Sequence, residues 1–372
     1  MPKQNKNIID LFAGVGGLSL GAARAGFGVA AAVELDTRAA AQHAVNFPNS
    51  KHLIEDVGTL SGSRLLELAG VSTNELCGLI GGPPCQGFSE IGLQRDGDPR
   101  NELLVHFFRL VAEIRPAFFL AENVPGVVQE RNKSILDRAL ALVPRNYVVL
   151  PPMTVKASDY GAPTIRTRVF FIGYDPSRVG ALDIAAFAPK LVQDVRVSRA
   201  LTGLPIIRSD WQSEAQSWRA VGALGSAAYE HRITNHVPYG VGNPGALAEL
   251  KNHSKVSGFL GTAHTLETKK RFKVLLPGMA DSISKCVRLR MDGYCPTLRA
   301  GTGPERGSYQ AIRPVHPSSP RVIAPREAAR LQGFPDWFQF HPTKWHAFRQ
   351  IGNSVSPIVS EALMTVIHSA VR

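Results

Sequence analysis

The segment NIIDLFAGVGGLSLGAARAGFGVAAAVELD, residues 7–36, decides the fold class. It contains an apolar strand, a glycine-rich turn, a helix that ends near Gly26, and a second apolar strand. Further apolar runs of strand length follow at residues 76–82, 117–124 and 168–175. The amphipathic run ELLVHFFRLVAEIRP, residues 102–116, predicts a helix between two of them. Apolar strands separated by helices are typical of a mostly parallel sheet covered on both faces, so the sequence predicts an α/β fold.

The alternation of apolar strands and helices indicates how the chain is divided into domains. Residues 1–175 are predicted to form the α/β domain. From 176 to 320, Pro, Gly, Ser and His become frequent and helical periodicity is scarce, which predicts a smaller, irregular, loop-rich domain. In residues 321–372 helices return, one beginning near Pro325 and one closing the chain.

Composition limits the class of protein. The chain has 372 residues and a formal net charge of +12, which favours a polyanionic partner, nucleic acid first or an anionic membrane surface. It contains no apolar run of the length that a membrane helix needs and no apolar signal core at the start. The four cysteines show no C-x-x-C spacing, so we expect no metal site and reduced thiols in a cytoplasm.

The glycine turn, DLFAGVGGLSLG, predicts a ligand site at the carboxyl end of the first strand, although a tight strand-to-helix connection would also need glycine. The dinucleotide fingerprint G-x-G-x-x-G fails here, because Ser19 stands where the third glycine belongs. Phe12 could lie against a base, Glu34 could accept ribose hydroxyls, and Asp56 with Val57 could meet an adenine. An adenosine ligand without phosphates fits best, and S-adenosylmethionine is the common one.

Cys85 lies in the segment GGPPCQGFS, residues 81–89. Two prolines make the approach to it stiff, and the glycine-rich run after it could move as a lid. One interpretation is a small buried cysteine, and the other is a nucleophile. Glu122, at the end of the apolar strand AFFLAEN, is likewise either part of a structural salt bridge or an acid–base group.

Six motifs occur in the order found in the DNA (cytosine-5) methyltransferases, and the chain resembles that family from Asp10 to Pro357. They are DLFAGVGGLSLG, GGPPCQGFS, AENV, RTRVFFIG, REAARLQGFP and QIGNSVSP. The resemblance implies a Rossmann-like methyltransferase fold in residues 1–175 and a target-recognition domain in residues 176–320. It also implies that residues 321–372 return to the catalytic domain.

The resemblance implies a chemistry for the residues at these motifs. Cys85 would add to C6 of a cytosine that is flipped out of the duplex, and Glu122 would support N3 of that base. The implied catalytic residues are Cys85, Glu122, Arg166 and Arg168. The implied S-adenosylmethionine contacts, which would also hold the product S-adenosylhomocysteine, are Asp10, Phe12, Ala13, Gly14, Gly16, Gly17, Leu18, Glu34, Leu35, Asp56, Val57, Pro84, Leu103, Asn353 and Ser354.

DNA contacts are expected from both domains. The loop after Cys85 would close on the base, and a glycine-rich segment beginning at Arg299 could approach DNA closely. The implied substrate-binding residues are Gln86, Ser89, Arg299 and Thr302. The basic clusters at 267–273 and 285–290 suit phosphate contacts, although a solvated surface is the alternative.

Two positions leave questions open at the sequence level. Thr164 replaces the glutamine usual in the family before the two arginines of TIRTR, and we expect activity to survive that change. Asn353 would come back to the cofactor, whereas without the resemblance a helix N-cap or turn residue is the preferred interpretation.

The sequence therefore predicts a sequence-specific DNA cytosine-5 methyltransferase that acts on double-stranded DNA. We expect a bacterial, cytoplasmic monomer that associates with the nucleoid through DNA and avoids membranes. It would protect DNA from a restriction endonuclease without forming a stable complex with it. The alternatives are a tRNA methyltransferase, an inactive nucleic-acid-binding or nucleotide-binding protein, and a dinucleotide-dependent oxidoreductase.

Overall fold

The computed structural model describes residues 6–84, 102–190, 192–208, 212–213, 217–299 and 313–372. Strands and helices alternate in the first part of the chain, as the apolar runs predict. The elements are β1 (Asn7–Leu11), α1 (Gly17–Arg24), β2 (Gly28–Val33), α2 (Thr37–Asn46), β3 (Lys51–Leu53), α3 (Gly62–Ala69), β4 (Leu76–Gly81), α4 (Glu102–Ile114), β5 (Phe118–Asn123), α5 (Lys133–Leu140), β6 (Val148–Val149), β7 (Met153–Lys156) and β8 (Thr167–Tyr174).

Within the described residues these strands form one mixed sheet in the order β3-β2-β1-β4-β5-β8-β6, with β7 also paired to β8. The five strands from β3 to β5 in this order are parallel, whereas β8 runs antiparallel to β5. Because β1 lies at the centre, the carboxyl ends of β1, β2, β4 and β5 meet at one edge, where an α/β sheet binds ligands. The predicted α/β class with a mostly parallel sheet is confirmed.

The central strands β1, β4 and β5 are buried on both faces of the sheet, which explains why they are almost entirely apolar. Neighbouring residues of one strand enter different clusters, because side chains alternate across a sheet. Phe118 belongs to the cluster that contains side chains of α1 and of the last helix of the chain, and Phe119 to the cluster that contains α4 side chains. Phe170 and Phe171 of β8 divide between the two clusters in the same way.

The middle of the chain contains short elements joined by long irregular segments. They are α6 (Val197–Leu201), β9 (Arg219–Ala220), α7 (Ala228–Thr234), α8 (Pro244–His253), β10 (Lys255–Val256) and α9 (Leu266–Val274). Strands β9 and β10 pair only with each other among the described residues. Two-residue strands and helices of five to ten residues carry little periodicity, which is why the sequence indicates an irregular region here.

The last segment packs against the first helix. Its helices are α10 (Pro325–Gln332), α11 (Lys344–Asn353) and α12 (Pro357–Ala370). The Ser360 hydroxyl donates a 2.7 Å hydrogen bond to the carbonyl of Leu18, and a Cβ on Gly21 would overlap with Ser360. Residues 357–370 therefore cover the helix that follows the glycine turn.

In the part of the chain that is described, no helix has both the length and the apolar character needed to cross a membrane.

Candidate active site

The glycine turn between β1 and α1 depends on backbone conformations that favour glycine. Gly14 and Gly16 have φ angles of 55° and 101°, and Phe12 shares this left-handed region with a φ of 57°. A Cβ on Gly16 would overlap with the Phe47 ring, and one on Gly17 would overlap with the carbonyl of Val355. A Cβ on Gly14 would meet no atom within 4 Å. The turn is therefore tightly packed at Gly16 and Gly17 and open at Gly14.

Glu34 connects this turn to the end of β2. Its Oε2 accepts a 2.8 Å hydrogen bond from the backbone N–H of Gly14, and its Oε1 accepts one of 2.8 Å from Asp36 N–H. Burial raises the pKa of Glu34, although both backbone hydrogen bonds oppose the change. A carboxylate oxygen has more than one lone pair, so Glu34 can accept ligand hydroxyls as well.

Apolar side chains stand exposed on the sheet edge beside Glu34. The side chains of Leu35 and Ile54 are 62 % and 54 % exposed, while Val57 is buried. The Asp56 carboxylate is exposed and accepts a 2.8 Å hydrogen bond from Gly58 N–H. Ile54 is missing from the residues that the sequence analysis names; its apolar type two positions before Asp56 is the signal that could have indicated it.

The other predicted cofactor contacts at this edge of the sheet differ in their exposure to solvent. Leu18 and Ala13 are buried in the turn, Leu103 is half-buried in the first turn of α4, and Pro84 is exposed. Residues Cys85, Gln86, Ser89 and Thr302 lie outside the described residues.

Asp10 is enclosed beneath the glycine turn, with only one of its two carboxylate oxygens hydrogen-bonded. Its carboxyl is fully buried, and Oδ2 accepts a 2.5 Å hydrogen bond from the Ser19 hydroxyl. The Ser19 oxygen lies 3.1 Å from Nε2 of His43, whose Nδ1 lies 3.0 Å from Nε2 of His52. Burial raises the pKa of Asp10 to about 7. The Asp10 side chain thus holds the first turn of α1, and its contact with the cofactor stays a prediction.

Glu122, at the end of β5, and Arg168, at the start of β8, form an ion pair. Arg168 Nε lies 2.7 Å from Oε1 of Glu122, and both side chains are largely buried. The chain before Cys85 passes beside them: a Cβ on Gly82 would lie 3.1 Å from Oε2 of Glu122, and the Asn123 amide donates a 3.4 Å hydrogen bond to Pro83 O. Antiparallel pairing of Glu122 with Phe170 brings the two charged residues together.

Arg166 does not join this pair. Its guanidinium donates to the carbonyls of Gly352 at 2.9 Å, Leu298 at 3.4 Å and Asn353 at 3.5 Å. Burial lowers its pKa, and the nearby Arg168 adds to that effect. Gly352 and Asn353 are the last residues of α11, where the helix dipole favours a cation. Arg166 therefore joins three segments of backbone beside the Glu122 pair, and its assignment to the catalytic residues stays a prediction.

Thr164 takes part in the same junction. Its hydroxyl donates a 3.1 Å hydrogen bond to Cys295 O, which also accepts 3.0 Å from Ile165 N–H. Cys295 N–H in turn donates to Pro163 O at 2.9 Å. Thr164 therefore connects the segment before β8 to the segment that begins at Cys295. That second segment continues through Leu298 to the exposed Arg299.

Asn353 ends α11 rather than beginning a helix, so its alternative interpretation as an N-cap is wrong. Its side chain is exposed, while Ser354 is buried and its carbonyl accepts a 2.8 Å hydrogen bond from the Gln332 amide. Because the next residue, Val355, lies against Gly17, this segment borders both the glycine turn and the Arg166 junction.

In the described residues, no group of three or more histidine, cysteine or acidic side chains could hold a metal ion. Cys77, Cys286 and Cys295 are free thiols.

Comparison with known proteins agrees with this geometry. The family model of C-5 cytosine-specific DNA methylases matches residues 6–369. The chain is 37% identical over 368 residues to the type II methyltransferase M.XorII of Xanthomonas oryzae, covering 98% of this chain and 85% of the relative. It is 33% identical to the type II methyltransferase M.DdeI of Desulfomicrobium norvegicum over 96% of this chain and 87% of the relative.

Solved structures give the same result at the level of the fold. A protein described as a DNA modification methyltransferase encoded within an E. coli prophage superposes with a TM-score of 0.88 at 49% identity, covering 98% of this chain and 99% of that chain. The S. pombe Dnmt2 methyltransferase shares the fold alone, with a TM-score of 0.58 at 14% identity over 97% of each chain. The chain belongs to the C-5 cytosine-specific DNA methylase family and is a DNA cytosine-5-methyltransferase.

Proposed function

We propose that this chain methylates C5 of a cytosine flipped out of duplex DNA, using S-adenosylmethionine and a transient covalent bond between Cys85 and C6 of the base. The observation that carries the proposal is the buried ion pair of Glu122 with Arg168, because the segment that leads to Cys85 passes directly beside it. A base has to leave the stacked duplex to reach such a position.

The sheet edge at the glycine turn fits S-adenosylmethionine. Glu34 would accept the ribose hydroxyls, the exposed Leu35 and Ile54 would cover the adenine, and Asp56 would accept its amino group. Phe12, Gly14 and Asn353 would contact the rest of the cofactor. When bound there, the cofactor supplies an electrophilic methyl group.

Each catalytic side chain has a separate task. The Cys85 thiolate would add to C6, which breaks the aromaticity of the ring and makes C5 nucleophilic. A proton shared between Glu122 and N3 would stabilise the charge that develops on the base. Arg168 would keep the Glu122 carboxyl in place, leaving Oε2 open toward Gly82. After methylation, loss of the C5 proton and departure of the Cys85 sulfur would restore the aromatic ring.

The test is transfer of a tritiated methyl group from S-adenosylmethionine to duplex DNA and to tRNA, with Cys85→Ser alongside and Cys77→Ser as the matched control. We expect labelled duplex DNA with the wild type and Cys77→Ser, and none with Cys85→Ser. Duplex DNA with 5-fluorocytosine at target positions should trap the wild-type protein covalently. Label on tRNA alone would overturn the proposal.

The biological role is a second part of the proposal. The two type II relatives support a restriction-modification role, in which the methylated sequence is protected from an endonuclease that acts independently. We also propose that the protein is a monomer acting on DNA in a bacterial cytoplasm. Bisulfite sequencing of DNA from cells that express it would give the target, and an endonuclease of that specificity should then fail to cut the DNA. Cutting at fully methylated sites would contradict the protective role.

A further inference from the structure

A cavity of about 240 Å³ lies where three parts of the chain meet. Its walls come from α2 of the α/β domain, from the irregular middle region, and from α10, α11 and the segment between them. At about 30 Å³ for each water molecule, this volume holds about eight waters, which is room for a small ring compound. The residues that line it are distinct from those assigned to the cofactor, to Cys85 and to the Glu122 pair.

Hydrogen bonds hold the three walls together. The Asn46 side chain, at the end of α2, donates 2.8 Å to Gln339 O and accepts 2.8 Å from Gln339 N–H. The Gln339 side chain accepts a 2.9 Å hydrogen bond from the Ser257 hydroxyl of the middle region. Because the walls are already fixed to one another, little conformational entropy is lost when a ligand enters between them.

Two buried polar side chains line the cavity. Gln42 of α2 is 8 % exposed and Ser217 is 6 % exposed. Within the described part of the chain, no group forms a hydrogen bond with the Gln42 amide or with the Ser217 hydroxyl. Buried polar side chains normally have a hydrogen-bond partner, so these two indicate a ligand that supplies one.

The charge of the lining excludes a cationic ligand. Arg326 is 1 % exposed, and its guanidinium donates to the carbonyls of Ser257 at 2.8 Å, Pro335 at 3.0 Å and Phe338 at 2.9 Å. Burial lowers the pKa of Arg326 to about 10, so the group stays protonated at neutral pH. Among the described residues, no acidic side chain lines the cavity. Since three carbonyls already occupy the guanidinium, a neutral ligand fits better than an anion.

The other contacts favour a flat heterocycle. Leu260 and Ala347 supply apolar surface, and the rings of Trp218 and Phe340 also line the cavity. The Gln42 amide offers a donor and an acceptor side by side. Adenine presents an amino donor next to a ring-nitrogen acceptor, which matches such an amide, whereas guanine presents two acceptors on the same edge.

We propose that this cavity is a second ligand site, which binds the 6-aminopurine ring of a free small molecule. The Gln42 amide pairs with the amino group and a ring nitrogen, the Ser217 hydroxyl bonds another ring nitrogen, and Trp218 and Phe340 contact the ring. Gln42 lies six residues beyond Asp36, about 9 Å along α2, so the site is separate from the proposed cofactor site. The inference goes beyond the proposed function, because a ligand here would join the α/β domain to the middle region.

The first test is equilibrium dialysis of radiolabelled adenine against the protein with one equivalent of S-adenosylhomocysteine. We expect one adenine per chain, with a Kd below about 1 mM. Gln42→Leu removes the donor and the acceptor and should raise that Kd at least about tenfold. The control Gln129→Leu makes the same replacement at an exposed position and should leave the Kd unchanged. Equal Kd values for Gln42→Leu and wild type would overturn the proposal.

The second test fills the cavity and varies the ligand. Val45 lines the cavity and is 37 % exposed, so Val45→Phe adds volume from the rim without disturbing the core. We expect it to abolish adenine binding, while the binding of one S-adenosylhomocysteine per chain shows that the fold is intact. Unlabelled purine, which lacks the amino donor, should compete about tenfold more weakly than adenine. Adenine binding of wild-type strength in Val45→Phe, or equal competition by purine, would contradict the assignment.

Three further results separate the outcomes. If one equivalent of S-adenosylhomocysteine abolishes the uptake of adenine, the adenine binds in the cofactor site and the proposal is wrong. If a duplex oligonucleotide displaces adenine, the cavity belongs to a nucleic-acid surface and the proposal is equally wrong. If adenine binding depends on Gln42 but the protein binds no S-adenosylhomocysteine and transfers no methyl group, the proposed function fails and this site stands.

Discussion

Arg168 Nε lies 2.7 Å from the Oε1 of Glu122, and both side chains are largely shielded from water. The pair joins the end of β5 to the start of β8, which run antiparallel. The ion pair fixes one carboxylate oxygen and leaves the other beside Gly82, where the segment before Cys85 passes. A carboxyl held in this way can meet a base edge without reorganising.

We predict that Arg168→Ala lowers kcat for methyl transfer to DNA about a hundredfold, the usual effect of removing one preorganised charged donor. Arg168→Lys should lie between Ala and wild type, because it keeps the charge but loses the planar donor geometry. Arg64→Ala breaks an exposed ion pair with Glu67 and should leave kcat unchanged. A kcat for Arg168→Ala within a few-fold of wild type would show that the pair does not position Glu122.

For Arg166 we predict a larger effect on the KM for DNA than on kcat. Arg166→Met leaves the buried carbonyls of Leu298, Gly352 and Asn353 without their donor but keeps the Glu122 pair intact. We expect the KM for DNA to rise at least about tenfold, with a smaller loss of kcat than in Arg168→Ala, and partial rescue by Arg166→Lys. Steady-state kinetics with varied DNA checks this. An unchanged KM together with a kcat loss as large as that of Arg168→Ala would contradict this prediction and support a catalytic role for Arg166.

Arg166 and Arg168 show which parts of the fold and of the site could be predicted from the sequence and which could not. Apolar runs and glycine positions predicted β1, β2, β4, β5 and β8, because burial on both faces leaves a local signal. The two- and three-residue strands β3, β6, β9 and β10 are too short for such a signal. The predicted strand at residues 168–175 placed Arg166 before β8, but the spacing of the two arginines did not reveal that carbonyls from two distant segments surround Arg166. Likewise, the sequence did not reveal that Ser19, which binds Asp10, also lies 3.1 Å from His43 of α2.

For Glu34 we predict a loss of cofactor affinity. Glu34→Ala removes an acceptor for Gly14 N–H and, in the proposed site, for ribose hydroxyls, so the Kd for S-adenosylmethionine should rise about ten- to a hundredfold. Glu34→Gln keeps an acceptor and should lose less. Isothermal titration calorimetry measures both variants. Glu75→Gln is the control, because Glu75 also accepts a backbone N–H, that of Ser72, but on the surface. Equal Kd values for Glu34→Ala and wild type would contradict the assignment.

The buried carboxyl of Asp10 predicts a pH dependence of stability. Burial raises the pKa of Asp10 to about 7, above its ordinary value of 3.8, so between these values the folded protein binds a proton that the unfolded chain has released. This residue therefore makes unfolding easier as pH rises, by at most about 1.4 kcal/mol per pH unit, and its effect levels off above about pH 7. Burial lowers the pKa values of His43 and His52 from their ordinary value of 6.5, so these two residues make unfolding harder as pH rises toward that value.

Asp10→Asn isolates the first effect, since an amide oxygen can still accept from Ser19 and does not titrate. We expect urea unfolding to show that the variant gains stability relative to wild type as pH rises from about 4 to about 7, while both retain the histidine contribution. Asp137→Asn, at an exposed position of α5, controls for the loss of one negative charge. Because wild type and Asp10→Asn differ only in this carboxyl, parallel stability curves for the two would show that Asp10 is charged in the folded protein across this range.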